Sequence, residues 1–142
     1  NTTVTGMQYK AAEGFTLAFQ NGWEKEAYTN GKIWQVATLR PGKYRLEVTY
    51  AYTMVVSDAG NFISALMVKG NSESDIPNVA DIEQLNGVCA IYDKAGTNDD
   101  SGILVTPSFE VTETTDVVIG FLTSLAKGNS YFKVTELKLI LE

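Results

Sequence analysis

Histidine is missing from this chain, and cysteine occurs once, as Cys89. Without imidazole there is no Ser-His or Cys-His nucleophile pair. Imidazole zinc sites go with it, and one thiol cannot replace them. Carboxylate, Lys or Tyr chemistry and an oxygen-ligated cation such as Ca²⁺ are what the composition leaves. A single cysteine excludes an internal disulfide, which is neutral about compartment. No apolar run reaches the ~18 residues of a membrane-spanning helix, so direct membrane insertion is not expected. The chain opens on Asn1-Thr2-Thr3 without an initiator Met, a basic segment or an apolar one. The expectation is either a mature chain that has lost a signal segment or an excised domain.

A basic cluster is also missing. The net charge is −6, and residues 71–100 carry seven acids (Glu73, Asp75, Asp81, Glu83, Asp93, Asp99, Asp100) against Lys94 alone. The rest of the chain balances ten acids with ten bases. An acidic domain of this kind argues against nucleic acid and anionic membranes as partners.

What is present is a strand rhythm. From Tyr44 onward the apolar residues alternate, with Tyr44, Leu46, Val48, Tyr50, Tyr52 and Met54 in one phase and Arg45, Glu47, Thr49, Ala51 and Thr53 in the other. A period of two reads as a strand with one buried face. Ile33–Leu39 is a second strand-like run, and Pro41-Gly42 between them predicts a β-hairpin closed by a type II turn. Phe15–Phe19, Ile103–Val105, Ser108–Thr112 and Asp116–Thr123 read as further strands, with an edge strand around Val4–Tyr9. Phe62–Val68 is apolar in both phases, which predicts a central strand buried on both faces. Gln20-Asn21-Gly22, Tyr28–Lys32 and Ser57–Asn61 read as turns. In Tyr131–Leu141 the apolar phase slips from Phe132 and Val134 to Leu137, Leu139 and Leu141, so a β-bulge is expected near Thr135-Glu136. The reading is one domain over residues 1–142, with about eight strands in an antiparallel all-β sandwich or barrel.

Residues 71–102 interrupt this rhythm as an acidic, loop-rich excursion. Val79–Leu85 reads as one helical turn and Val88–Tyr92 as a short strand. Mutual repulsion of its carboxylates predicts a surface excursion that adds little to the core and sits at one end of the sandwich. Asp93–Gly102 offers oxygen ligands but lacks the closing Glu of a Ca²⁺ loop. A solvated turn is the better reading, and no cofactor is expected, with structural Ca²⁺ not favoured. Cys89 reads as a buried small hydrophobe.

Three stretches resemble one family. They are Gln35 with Leu39-x-Pro41-Gly42-x-Tyr44, then Val117-Val118-Ile119-Gly120-Phe121, then Phe132-x-Val134-x-x-Leu137-x-Leu139. Together they are similar to the galactose-binding-like jelly rolls, which include many carbohydrate-binding modules of secreted bacterial proteins. The chain also looks like C-terminal modules of gut-bacterial glycan-utilisation lipoproteins. The resemblance covers roughly residues 13–142. It implies a jelly-roll sandwich, a glycan or polysaccharide as partner, and a place within a larger multidomain protein. It also implies an extracellular, periplasmic or outer-surface location. Where the family often carries an Asp for a structural Ca²⁺, this chain has Glu136 and Lys138.

Sugar binding uses flat aromatic faces with amides and carboxylates beside them. Trp23, Tyr28 and Trp34 lie close in sequence, and Asn21, Asn30, Glu24 and Glu26 supply the polar groups. Against this, Trp34 is out of phase with Ile33 and is equally read as covering the sandwich edge. Tyr50 and Tyr52 share the phase of Leu46 and Val48 and read as core. The functional expectation is a non-catalytic carbohydrate-binding accessory module. The alternative is a structural or protein-interaction sandwich with no sugar site. A hydrolase, which needs two facing carboxylates, comes third.

Overall fold

In the computed structural model, residues 27–94, 96, 99–126 and 130–142 are described in full, and 7–9 and 17–21 by backbone pairing. Strand β1 spans Met7–Tyr9, β2 Leu17–Asn21, β3 Tyr28–Leu39, β4 Gly42–Thr53 and β5 Phe62–Lys69. Two 3-10 turns, Glu73–Asp75 and Val79–Gln84, lead into β6, Gly87–Ile91. The chain continues through β7 (Asp100–Val105), β8 (Phe109–Val111), β9 (Thr115–Leu125) and β10 (Ser130–Leu141). Eight of these strands are five residues or longer.

The strands form two antiparallel sheets, a β-sandwich. The first has the order β1-β2-β10-β4-β7, with β8 also on β4; the second has the order β3-β9-β5-β6. The expected hairpin at Pro41-Gly42 is therefore corrected. β3 pairs with β9, and β4 pairs with β10, β7 and β8. The Pro-Gly corner carries the chain from one sheet to the other. Gly42 has an extended φ of 158° and opens β4, so it is no type II turn residue.

Alternation sets the inner faces. Tyr44, Leu46, Val48 and Tyr50 of β4 face Phe121, Ile119 and Val117 of β9 and Ala65 and Met67 of β5 across the sandwich. At 25 cal/mol per Å² of apolar surface, such fully buried side chains are worth about 1.5–3 kcal/mol each. The slip in β10 is met by a register shift between Val134 and Glu136, as the apolar phase implies. Tyr28–Lys32 is not a turn: it lies inside β3, whose register shifts between Tyr28 and Gly31, with Asn30 at φ 55°.

β5 is buried from Ile63 to Val68 in both phases, as its sequence predicts, because the second sheet has two covered faces. Its outer face carries Leu66, Val68, Val118 and Leu122, with Trp34 packed against them. The segment 73–85 lies over this face and contributes Ile76, 1% exposed, with Val79, Ile82 and Leu85. The expectation that 71–100 adds little to the core is thus corrected. Its acids stay at the surface while its apolar residues make a strap. Gly70 (φ 141°) lets the strap leave β5, and a β-carbon there would overlap the Asp75 side chain. The Asp75 carboxylate accepts the N–H groups of Ser72 (3.0 Å) and Asn71 (2.9 Å), which hold it below the ordinary carboxylate range.

Candidate functional site

Strand direction gathers four connections at one end of the sandwich. β2 ends there at Asn21 and β3 begins at Tyr28; β4 ends and β5 begins; β6 ends and β7 begins; β9 ends and β10 begins. The sequence-predicted site residues distribute unevenly around this end. Trp23, Glu24 and Glu26 lie outside the described residues. Asn21 is placed by its backbone, paired with Ser130.

Tyr28 and Trp34 do not make a common stacking face. Tyr28 packs on the inner cluster of Val55, Ile63 and Phe121. Its hydroxyl shares a hydrogen bond of 2.9 Å with Thr123 Oγ1, and burial pushes its pKa up to about 12. Trp34 pairs with Gly120 on β9 and packs on the outer face under the strap. The reason is the register shift at Asn30 together with strand alternation: one ring enters the core and the other faces the strap. A β-carbon on Gly120 would run into the Ile33 carbonyl, so the two strands approach closely here. This is the covering role weighed for Trp34.

Asn30 ties elements together. Its backbone N–H donates to Ser124 Oγ at 2.9 Å, and its Oδ1 accepts the Val79 N–H at 2.8 Å. Lys32, 8% exposed, donates from Nζ to the Ile76 carbonyl at 2.8 Å. These two residues tie the strap to β3, a role the sequence signals only through Lys32 interrupting an apolar phase.

Beside Asn30 lies an open groove of about 320 Å³, lined by Thr29, Asn30, Gly60, Asn61, Phe62 and Ser124 among others. That volume is at the lower end of small-molecule sites. Asn61 braces its rim: Oδ1 accepts the Ala126 N–H at 2.8 Å, and Nδ2 donates to the Val56 carbonyl. A smaller cavity of about 80 Å³ adjoins it, between Asp58, Asn61 and Tyr92. Next to it, Tyr50, Tyr92 and Phe132 cluster at 5.1–5.2 Å centroid distances, Tyr92 meeting the other two edge to face, and the Tyr92 hydroxyl donates to Asp100 at 2.8 Å. Tyr50 is core, as expected, at 3% exposure. Tyr52 is not: it is 66% exposed, because β4 changes phase there.

Among the described residues, no group of three or more Cys, Asp or Glu is arranged to hold a metal ion. Glu136 pairs with Lys138 at 3.1 Å on the exposed face of the first sheet. Cys89 is half-buried at the strap's margin, and burial raises its thiol pKa.

Fold and loop end define a β-sandwich module with a shallow, mostly apolar groove at one end, edged by Thr29, Asn30, Asn61 and Ser124. Residues 1–120 match the model of the family described as Domain of unknown function (DUF5013), and the chain belongs to that family. No curated protein matches it. The matched region stops within β9, before β10, which joins β2 to β4 in the first sheet.

Proposed function

We propose that this chain is a non-catalytic glycan-binding module whose ligand sits at the loop end. The observation that supports this most is the groove beside Asn30. It is open, with the amides and hydroxyls of Thr29, Asn30, Asn61 and Ser124 set among the apolar surface of Phe62, Ala59, Val79 and Ala80, and it is of a size for one or two sugar units. Amides and hydroxyls read sugar hydroxyls, and an aromatic edge receives the C–H face. We also read the sandwich as a jelly roll of the galactose-binding-like kind. In support, β2-β10-β4-β7 and β3-β9-β5-β6 interleave in the order that two Greek keys produce. The same resemblance supports an extracellular, periplasmic or outer-surface location within a multidomain protein.

Affinity electrophoresis through gels containing soluble xylan, galactomannan, β-glucan or arabinan tests the reading. Retardation in at least one gel is expected. Migration unchanged in all of them would defeat it.

A second reading, a protein-interaction module, draws on β7. This edge strand exposes Ile103 and Val105, at 56% and 49%, with no charge between Ser101 and Val105. Uncharged edges are open to strand addition. Absent glycan binding together with a mass that rises with concentration would favour it.

A further inference from the structure

β4 is interrupted at Tyr52. Tyr50 pairs with Gly102 and Thr53 with Asp100, so Ala51 and Tyr52 together stand against Ser101. Two residues against one is a β-bulge. Tyr52 absorbs it with a φ of 52°, a conformation that crowds a β-carbon and that Gly or Asn adopts more readily. The phase flips there. Thr53 and Val55 turn inward, at 0% and 2% exposure, while Tyr52 is left 66% exposed.

Two unfavourable features thus coincide at one position, a strained backbone and an exposed aromatic ring. Neither serves the core. The Tyr52 N–H donates to Ser101 Oγ at 3.3 Å, a bond that any residue but proline would make. Among the described residues, three besides glycine have positive φ: Asn30, Tyr52 and Asp99, all at the loop end. Asn30 is accounted for by its hold on Val79 and Ser124. Non-glycine residues persist in such conformations where function requires the side chain.

We propose that Tyr52 supplies the aromatic face on which a pyranose ring of the ligand stacks, with Ser101 of the facing strand and Asp99 just before that strand taking its hydroxyls. The negative face of the phenol ring attracts the C–H groups of a sugar. Ser101 and Asp99 are both exposed. This rests on the glycan-binding reading above, adds a contact at the same loop end but outside the lining of the groove beside Asn30, and replaces the Tyr28–Trp34 platform, whose rings are used in packing.

The test compares Tyr52→Gly, Tyr52→Asn and Tyr52→Phe with the unaltered chain, in the same polysaccharide gels and by thermal melting. Tyr52→Gly and Tyr52→Asn should weaken binding at least tenfold while the melting temperature holds or rises, because both relieve the left-handed strain. Tyr52→Phe should bind within about threefold of the unaltered chain, since stacking needs only the ring. Unchanged binding by Tyr52→Gly would overturn the assignment and leave the glycan reading standing. Binding and melting temperature falling together in Tyr52→Gly would make the position structural and also overturn it. No binding by the unaltered chain would remove the glycan reading, and Tyr52 with it.

Discussion

The two sheets differ in what covers their outer faces, and that difference organises the molecule. The central strands β9 and β5 of the sheet β3-β9-β5-β6 are dry on both sides: the partner sheet covers one face, and the strap 73–85 covers the other. The sheet built on β10 and β4 turns Arg45, Glu47, Lys138 and Ile103 toward solvent. Its strands alternate, whereas β5 and β9 run apolar in both phases. Doubly apolar strands therefore imply a cover, and among the described residues the segment that charge alone would place in water provides it. Acidity and burial are compatible there because 3-10 turns point Ile76, Ile82 and Leu85 one way and Glu73, Asp81 and Glu83 the other.

The largest expected effect tests this contrast directly. Leu66, 0% exposed on the outer face of the second sheet, should lose about 2–5 kcal/mol of stability on truncation to Ala. Thr49→Ala, on the outer face of the first sheet, should stay within about 0.5 kcal/mol. Urea unfolding of both variants measures this. Equal losses would mean that the strap does not seal its face.

Next in size is an alkaline effect at the edge of the dry sheet. The Tyr28 hydroxyl has a folded pKa of about 12 because burial disfavours the phenolate. Its ordinary value is about 10. The folded state therefore holds its proton longer than the unfolded chain does. This contribution is fully present below pH 10 and is lost as pH rises through 12. Between pH 9 and 12 the unaltered chain should lose about 2–3 kcal/mol more than Tyr28→Phe. Parallel pH profiles of the two would show a wet hydroxyl and a leaky edge.

A smaller, local effect concerns the strap alone. Asp75→Ala removes the acceptor for the Ser72 and Asn71 N–H groups. Amides of residues 71–76 should then exchange about fivefold faster, corresponding to about 1 kcal/mol, while those of β9 keep their protection. Acid should imitate the variant: a depressed carboxylate pKa stabilises above the ordinary value and is lost as pH falls below it. Acceleration throughout β9 would show that strap and sheet open as one unit.

Much of this architecture is legible in the sequence. Period-two alternation yields β4, and the two-phase apolar runs yield β5 and β9. The slip after Val134 locates the β10 bulge to within a residue. Pairing is less legible. Pro41-Gly42 looks like a hairpin because local turn chemistry is the same whether the chain folds back within a sheet or crosses to the other. Only the partners of β3 and β4, distant in the sequence, decide between them. The bulge at Tyr52 was hidden because Tyr52 and Met54 continue the even-numbered apolar pattern. Val55 and Val56, apolar in successive positions, were the signal that the phase breaks. Among the site residues, Asn30 is placed at the loop end as a tie, and Trp34 is drawn away by the strap.

The smallest expected effect lies on the wet face and completes the contrast. Glu136 and Lys138 pair at 3.1 Å with side chains 54% and 57% exposed. Such pairs are worth about 0–1 kcal/mol, since water screens the attraction and two long side chains must be held. Arg45 is better placed. It bridges Glu47 at 2.8 Å and reaches Glu142 at 3.8 Å, with all three side chains about one-third exposed or less. A double-mutant cycle on Glu136 and Lys138 should give a coupling below about 0.5 kcal/mol that vanishes in 1 M NaCl. The Arg45–Glu47 cycle should give a larger coupling that survives salt in part. A strong, salt-resistant coupling at Glu136–Lys138 would mean that the first sheet's outer face is shielded from water, and the distinction between the two sheets would fail at its exposed end.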